Sequence, residues 1–289
     1  MYSSITIIFN PNSTGDAPEK AHELAESLKR SMKNVPLHIR ETKRAGHAEE
    51  LAYKAAKNGR EPLIVIVSGD GGYNEVINGS MRAVNEGATP ICAVHAAGNA
   101  NDHRRMVRKQ PLIDAIKTHD VSRLDLLEVQ WGGKKRYAHS YVGLGVTPAI
   151  AVELNRHTLS SFKEMILVMK TFWQFQPFEI IHEGKQLRLD SLVLANISGM
   201  AKVLNLSEDG KPTDGKFEVI AVPHRHKMSI VAWVLKSVTL GPGKQPQTDT
   251  YNFKTLKPTP MQLDGEVIKI TANTEVRIAI AHRSLQTLR

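Results

Sequence analysis

Five consecutive aliphatic residues, Leu63-Ile64-Val65-Ile66-Val67, run directly into Ser68-Gly69-Asp70-Gly71-Gly72. An unbroken aliphatic run of this length suits a strand buried on both faces, the situation in a parallel sheet covered by helices on either side. Residues 5–9 and 91–94 give further short, largely apolar strands, and 37–41 a second strand of mixed character. Between them, helical spacing predicts helices over 16–32, 47–57 and 74–85, and another starting near Asn101. Alternating strands and helices predict a doubly wound parallel sheet. Its loops open on one edge, outside the carboxyl ends of the strands, where such sheets bind ligands.

The pattern changes after about residue 120. Residues 124–130 and 135–142 flank Trp131-Gly132-Gly133 as a hairpin, and 178–182, 191–196, 217–222, 267–271 and 276–281 read as further strands. Helical stretches are expected over 161–174 and 228–238. The organisation expected is an α/β nucleotide-binding domain over 1–122 and a β-rich substrate domain over 123–289, whose last segment packs back on the first.

Composition narrows the function. Of 289 residues 41% are apolar, so cores can form. Lys and Arg number 38 against 29 acids, a net charge of +9 that favours polyanionic partners. Aromatics make up only 6%, against a single-strand nucleic-acid reader built on stacking platforms, and no helix-turn-helix, RRM or zinc-finger pattern occurs; nucleic acid is not an expected partner. A single cysteine, Cys92, excludes an internal disulfide framework and a Cys-rich zinc site. The start lacks a signal-peptide pattern, and no segment approaches the roughly 18 apolar residues of a span. A cytoplasmic protein is expected, with peripheral membrane association compatible with its charge.

Three loops join Gly to small polar residues directly after a strand. In Ser68-Gly69-Asp70-Gly71-Gly72-Tyr73-Asn74-Glu75 the glycines let backbone N–H groups approach a polyphosphate, and the following helix adds its positive end. Asp70 would repel phosphate unless it held magnesium, a metal-bound water or a ribose hydroxyl; a tight turn with an Asx cap is the simpler alternative. Gly98-Asn99-Ala100-Asn101-Asp102 repeats this chemistry, followed by Arg104, Arg105, Arg108 and Lys109. Asn10 to Gly15 is the third loop. No G-x-x-x-x-G-K-[ST] occurs, and neither Gly69-x-Gly71 nor Gly143-x-Gly145 completes the dinucleotide fingerprint.

Taken in order, the motifs resemble the diacylglycerol kinase catalytic domain, a superfamily that includes bacterial lipid kinases and the sphingosine and ceramide kinases. They are Asn10-Pro11-x-Ser13, Thr42-x-x-x-Gly46-His47-Ala48, Ser68-Gly69-Asp70-Gly71, Asn74-Glu75-Val76 and Gly98-x-Ala100-Asn101-Asp102. The similarity continues through Arg123-Leu124-Asp125-Leu126, Gly143-Leu144-Gly145, Gln176-Pro177-Phe178-Glu179, Asp214-Gly215-Lys216-Phe217 and Asp264-Gly265-Glu266.

This resemblance implies a Rossmann-like N-terminal kinase domain, a C-terminal β-sandwich and an active site in the interdomain cleft. The activity implied is ATP-dependent transfer of the γ-phosphate to a lipid hydroxyl, diacylglycerol- or sphingoid-like. By the same resemblance Asn10, Ser13, Thr42, Ser68, Gly69, Asp70, Gly71, Asn74, Glu75, Gly98 and Asn99 would hold ATP. Asp70, Asp102 and Asp125 would organise Mg2+ and its waters, Asp214 would bind a further metal, and Glu266 would be the general base. Two positions depart from the family's pattern: Gly72 stands where its GGDGT motif has threonine, and Asn99 where its GTxNDF motif has threonine. Two alternatives stay open: a soluble-substrate kinase, since related nucleotide kinases share the GGDG loop, and, because of these losses, a catalytically weakened nucleotide- or lipid-binding regulator. The apolar stripe Leu159, Phe162, Met165, Ile166, Met169, Phe172 and Trp173 would gate an acyl pocket, touch a bilayer transiently or serve as core. A homodimer is compatible with the sequence.

Overall fold

The computed structural model describes residues 2–13, 15–98, 101–108, 110–145, 176–200, 204–205, 210–224 and 243–289. The helices expected over 161–174 and 228–238, the apolar stripe from Leu159 to Trp173 and Asn99 lie outside them. The chain forms two compact units: Met1–Asp125 together with His282–Arg289, and Leu126–Ala281.

In the first unit the order is β1 (Ile5–Phe9), α1 (Ala17–Ser31), β2 (Leu37–Glu41), α2 (His47–Ala56), β3 (Leu63–Ser68), α3 (Asp70–Val84), β4 (Ile91–Ala96), α4 (Asp102–Val107) and α5 (Leu112–Thr118). The strands align in parallel in the order β2-β1-β3-β4, with Ile5 opposite both Leu37 and Leu63, and Leu63 opposite Ile91. Every residue of β1 and β3 is buried. On one face Ile5, Ile7, Leu63, Val65 and Ile91 pack against Ala21, Leu24, Ala25 and Leu28, the apolar stripe of α1. The strand order reverses between β1 and β3, so the loops after these two strands lead away from each other and leave a crevice, as at a switch point.

Helices α2 and α3 meet backbone to backbone. A Cβ at Gly79 of α3 would fall far inside contact distance of the Glu49 carbonyl of α2. The buried face of α2, Ala48, Ala52, Ala55 and Ala56, is small enough to allow the approach. Backbone cannot swing aside as a side chain can, so Gly79→Ala is expected to cost about 2–3 kcal/mol by overpacking, measured as a lower denaturation midpoint. An unchanged midpoint would contradict the close crossing.

The start of α3 corrects the sequence expectation: it begins at Asp70 rather than near Asn74. Gly69 is the N-cap, and the Tyr73 N–H donates to the Gly69 carbonyl at 3.1 Å. Two glycines in the first turn lower helix propensity and hide that turn from periodicity.

The second unit continues β5 (Val121–Trp131) and holds β6 (Lys134–Ala138), β7 (Tyr141–Gly145), β8 (Phe178–His182), β9 (Lys185–Ala195), β10 (Gly199–Met200), β11 (Leu204–Asn205), β12 (Phe217–Pro223), β13 (Gln247–Thr248), β14 (Thr250–Thr255), β15 (Thr259–Leu263) and β16 (Glu266–Ile270), then the first half of β17 (Glu275–Leu288). Antiparallel pairing runs β16-β15-β7-β9-β8-β14-β17, and β12 also pairs with β9. Leu127, Val142, Leu194, Phe217, Phe253 and Met261 belong to its core. The end of β17 lies in the first unit, with Thr287 opposite Cys92 of β4 in parallel. An α/β domain followed by a strand-rich one is the fold class the motif order implies.

Candidate active site

Three loops converge at the carboxyl ends of β1, β3 and β4. A Cβ at residue 69 would lie 3.3 Å from the Cα of Gly98, one at residue 98 would overlap Gly69, and one at residue 15 would lie 3.2 Å from the backbone of Ala97. The Ala97 N–H donates to the Ser68 carbonyl at 3.0 Å, and the Ser13 and Ser68 hydroxyls are 3.1 Å apart. Gly15, Gly69 and Gly98 thus serve to pack loop on loop. Gly71 differs, because a Cβ there meets nothing within 4 Å among the described residues. It sits in the first turn of a 15-residue helix, where N–H groups lack intrahelical partners and the dipole favours an anion.

Beside these loops lies a cavity of about 270 Å³ whose lining includes Asn10, Thr42, Lys43, Arg44, Ser68 and Gly72. Amide, hydroxyl and two cationic side chains make it suited to a polyanion with polar substituents. At Gly72 the missing side chain has a local reason: a Cβ would come 2.5 Å from the Ser68 hydroxyl. Ser68 therefore occupies the space into which a threonine at 72 would project, and a hydroxyl still lines the cavity.

Two residues expected at the nucleotide support the site from behind. Glu75 lines the cavity, but its carboxylate accepts the Gly46 and Ala48 N–H groups at 2.9 and 3.0 Å, which pins the start of α2 against α3. Asn74 is fully buried, and the Asn78 amide donates to its backbone carbonyl at 2.9 Å and to its Oδ1 at 3.0 Å. These assignments follow from unsatisfied helix-end groups and burial, which motif spacing does not report.

The acids expected around magnesium are engaged individually. Asp70 accepts the Asp102 and His103 N–H groups at 3.1 and 3.4 Å, so it caps α4 from the neighbouring loop. Asp102 is buried and pairs with Arg105 at 2.6 Å. Buried Asp125 accepts the Arg283 N–H at 2.6 Å and lies 2.9 Å from Nδ1 of His282, tying β5 to the returning end of the chain. Asp214 is exposed and accepts the Lys216 N–H at 3.0 Å within its own turn. Among the described residues no group of three His, Cys, Asp or Glu side chains is placed to hold a metal. This donor set fits a nucleotide held by backbone, hydroxyl and cationic groups; it does not fit a metal held by the protein alone.

In the second unit Asp264 and Gly265 form the two-residue turn between β15 and β16, both at positive φ (48° and 99°), with Leu263 opposite Glu266. Asp264 is buried, and its carboxylate accepts three backbone N–H groups, from His139 at 2.6 Å, Ser140 at 2.9 Å and Tyr141 at 3.0 Å. These bonds explain why the run expected over 135–142 breaks between β6 and β7: its N–H groups turn toward a carboxylate instead of a strand. Glu266 is about one-third exposed, and Arg136 donates to its Oε2 at 3.4 Å. Asp264 belongs to the motif that contains Glu266 but had no site role from sequence, and Arg136 carried no signal there, since an arginine in a basic run does not stand out.

With this geometry in place, the class follows. Residues 4–129 match the family model of the diacylglycerol kinase catalytic domain, and this stretch contains all three converging loops. The chain therefore carries a diacylglycerol kinase-like catalytic domain. No curated protein sequence matches it. Among solved structures, a diacylglycerol kinase from Bacillus anthracis str. Sterne is similar at 18% identity with a TM-score of 0.73, covering 99% of this chain and 97% of that one. A second chain from the same organism is 16% identical, also with a TM-score of 0.73, covering 99% and 96%. At these identities the likeness is one of fold, and it extends through both units.

Proposed function

We propose that the chain is an ATP-dependent lipid kinase that transfers the γ-phosphoryl group to a lipid hydroxyl of the diacylglycerol or sphingoid type. The observation that carries this reading is the polar, cationic cavity lined from the ends of β1, β2 and β3, beside the close packing of the β3 and β4 loops, within a stretch that matches a diacylglycerol kinase catalytic domain. Phosphoryl transfer asks a protein mainly for positioning and charge neutralisation. In this reading Lys43, Arg44, the Ser13–Ser68 hydroxyl pair and the open N-terminus of α3 at Gly71 hold the polyphosphate. Asp70 and Asp102 keep the β3 and β4 loops in register. Glu266 takes the proton of the acceptor hydroxyl while its oxygen bonds to the γ-phosphorus. The bond from that phosphorus to the β–γ bridging oxygen breaks, and ADP departs with the electron pair. Arg136 orients the Glu266 carboxylate. The reading requires the Glu266 hairpin and the nucleotide loops to meet across an interdomain cleft, and it includes transient contact with the membrane that carries the acceptor.

The test is transfer of labelled phosphate from ATP to vesicle-borne diacylglycerol, sphingoid base, ceramide or polyprenol, with soluble alcohols alongside. Labelling of one or more lipids is expected. Labelling confined to soluble acceptors would replace the proposal with a soluble-substrate kinase, and ATP binding without any transfer would replace it with the weakened regulator that Gly72 and Asn99 leave open.

A further inference from the structure

A separate group of cations gathers at the end of β4, among residues that do not line the cavity. Arg108, directly after α4, is only 9% exposed, and its Nη1 donates to the Val94 carbonyl at 2.6 Å. Lys20 of α1 reaches the Ala96 carbonyl at 3.4 Å. Carbonyls two residues apart on a strand share an edge, so Lys20 and Arg108 bracket His95. Arg104 lies one helical turn before Arg108. The Nε atoms of both arginines are buried with no acceptor among the described residues. Arg105, by contrast, pairs with Asp102.

The crowding shows in the neighbouring imidazole: burial, then the charges of Arg108, Lys20 and Arg104, push His95 down to about 4. Burial, then Arg104, lowers Arg108 to about 10. Capping of two strand-end carbonyls accounts for Lys20 and for one nitrogen of Arg108. It leaves Arg104 and both Nε atoms unexplained, and a buried guanidinium without a counter-charge is costly unless an anion answers it.

We propose that Lys20, Arg104 and Arg108 form an anion site for a phosphate group, supplied either by a phospholipid headgroup or by free orthophosphate, distinct from the nucleotide cavity. The forked donors of two arginines and a point-charge lysine suit the several oxygens of a phosphate better than a single carboxylate. The site does not depend on the kinase reading, since it requires only an anion.

The test uses the full chain with Arg104→Gln and Lys20→Met, both at half-buried positions, and leaves Arg108 intact because it is buried and caps Val94. Orthophosphate is titrated calorimetrically in one arm. In the other, flotation compares vesicles of phosphatidylcholine with and without phosphatidic acid. Circular dichroism checks the fold, and ATP is titrated in parallel. Saturable binding of orthophosphate or of phosphatidic acid vesicles is expected, weakened about tenfold in each variant as a charge-assisted bond is lost, with ATP affinity unchanged; the arm that responds names the source. Absence of binding in both arms, or binding untouched by either variant, overturns the proposal. An equal loss of ATP affinity also overturns it, by assigning these cations to the nucleotide site.

Discussion

Glu266→Gln is expected to lower phosphate transfer to lipid by about 10²- to 10⁴-fold, the range associated with loss of a positioned acid or base, while ATP binding stays at the wild-type level. The amide keeps the shape of the carboxylate and can still contact Arg136, so the hairpin should not move. It cannot accept the proton of an attacking hydroxyl. Paired measurements of transfer rate and nucleotide affinity separate the two effects. A variant with full transfer would remove Glu266 from the mechanism. A variant that lost ATP binding as well would indicate a positional rather than a basic role.

Asp264→Ala should be the most damaging change to stability, lowering the unfolding free energy by roughly 3–5 kcal/mol. The carboxylate serves three backbone N–H groups at once, those of buried His139 and Ser140 and of part-buried Tyr141. Removing it strands the His139 and Ser140 N–H groups away from water and leaves that of Tyr141 without its acceptor. Asp264→Asn retains one oxygen acceptor and the side-chain volume, so its loss should be smaller. Because Asp264 also fixes the turn that presents Glu266, transfer should fall in the alanine variant even under conditions where it remains folded. Denaturant midpoints for the two variants check the order. Equal midpoints for wild type and Asp264→Ala would contradict the three-bond arrangement.

The parallel sheet was legible because the aliphatic run 63–67 and its largely apolar counterparts at 5–9 and 91–94 suit strands covered on both faces. The loops were legible because glycine, serine, asparagine and aspartate cluster directly after those runs. What the loop glycines do was less visible. Polyphosphate approach and backbone-on-backbone packing demand the same residue, and only the close approach of Gly69 to Gly98 separates these uses from the open space at Gly71. Glu75 and Asp70 read as ligand-facing acids, yet each also spends its carboxylate on the N–H groups of a neighbouring helix. Such pairings join residues about 30 positions apart and leave no periodic trace. Strands β14 and β15 escaped detection for a different reason. Tyr251 and Phe253 alternate with polar residues in one, and Pro260 interrupts the other.

The nucleotide face is tested most directly by equilibrium titration of ATP against the wild type and Gly71→Val. A Cβ at 71 meets no atom of the described residues within 4 Å, and its φ lies outside the left-handed region, so the variant should fold with nearly wild-type stability. It would nonetheless fill the position at the α3 N-terminus assigned to the polyphosphate. The account predicts saturable ATP binding by the wild type and its loss in folded Gly71→Val. Undiminished ATP binding by that variant would contradict it.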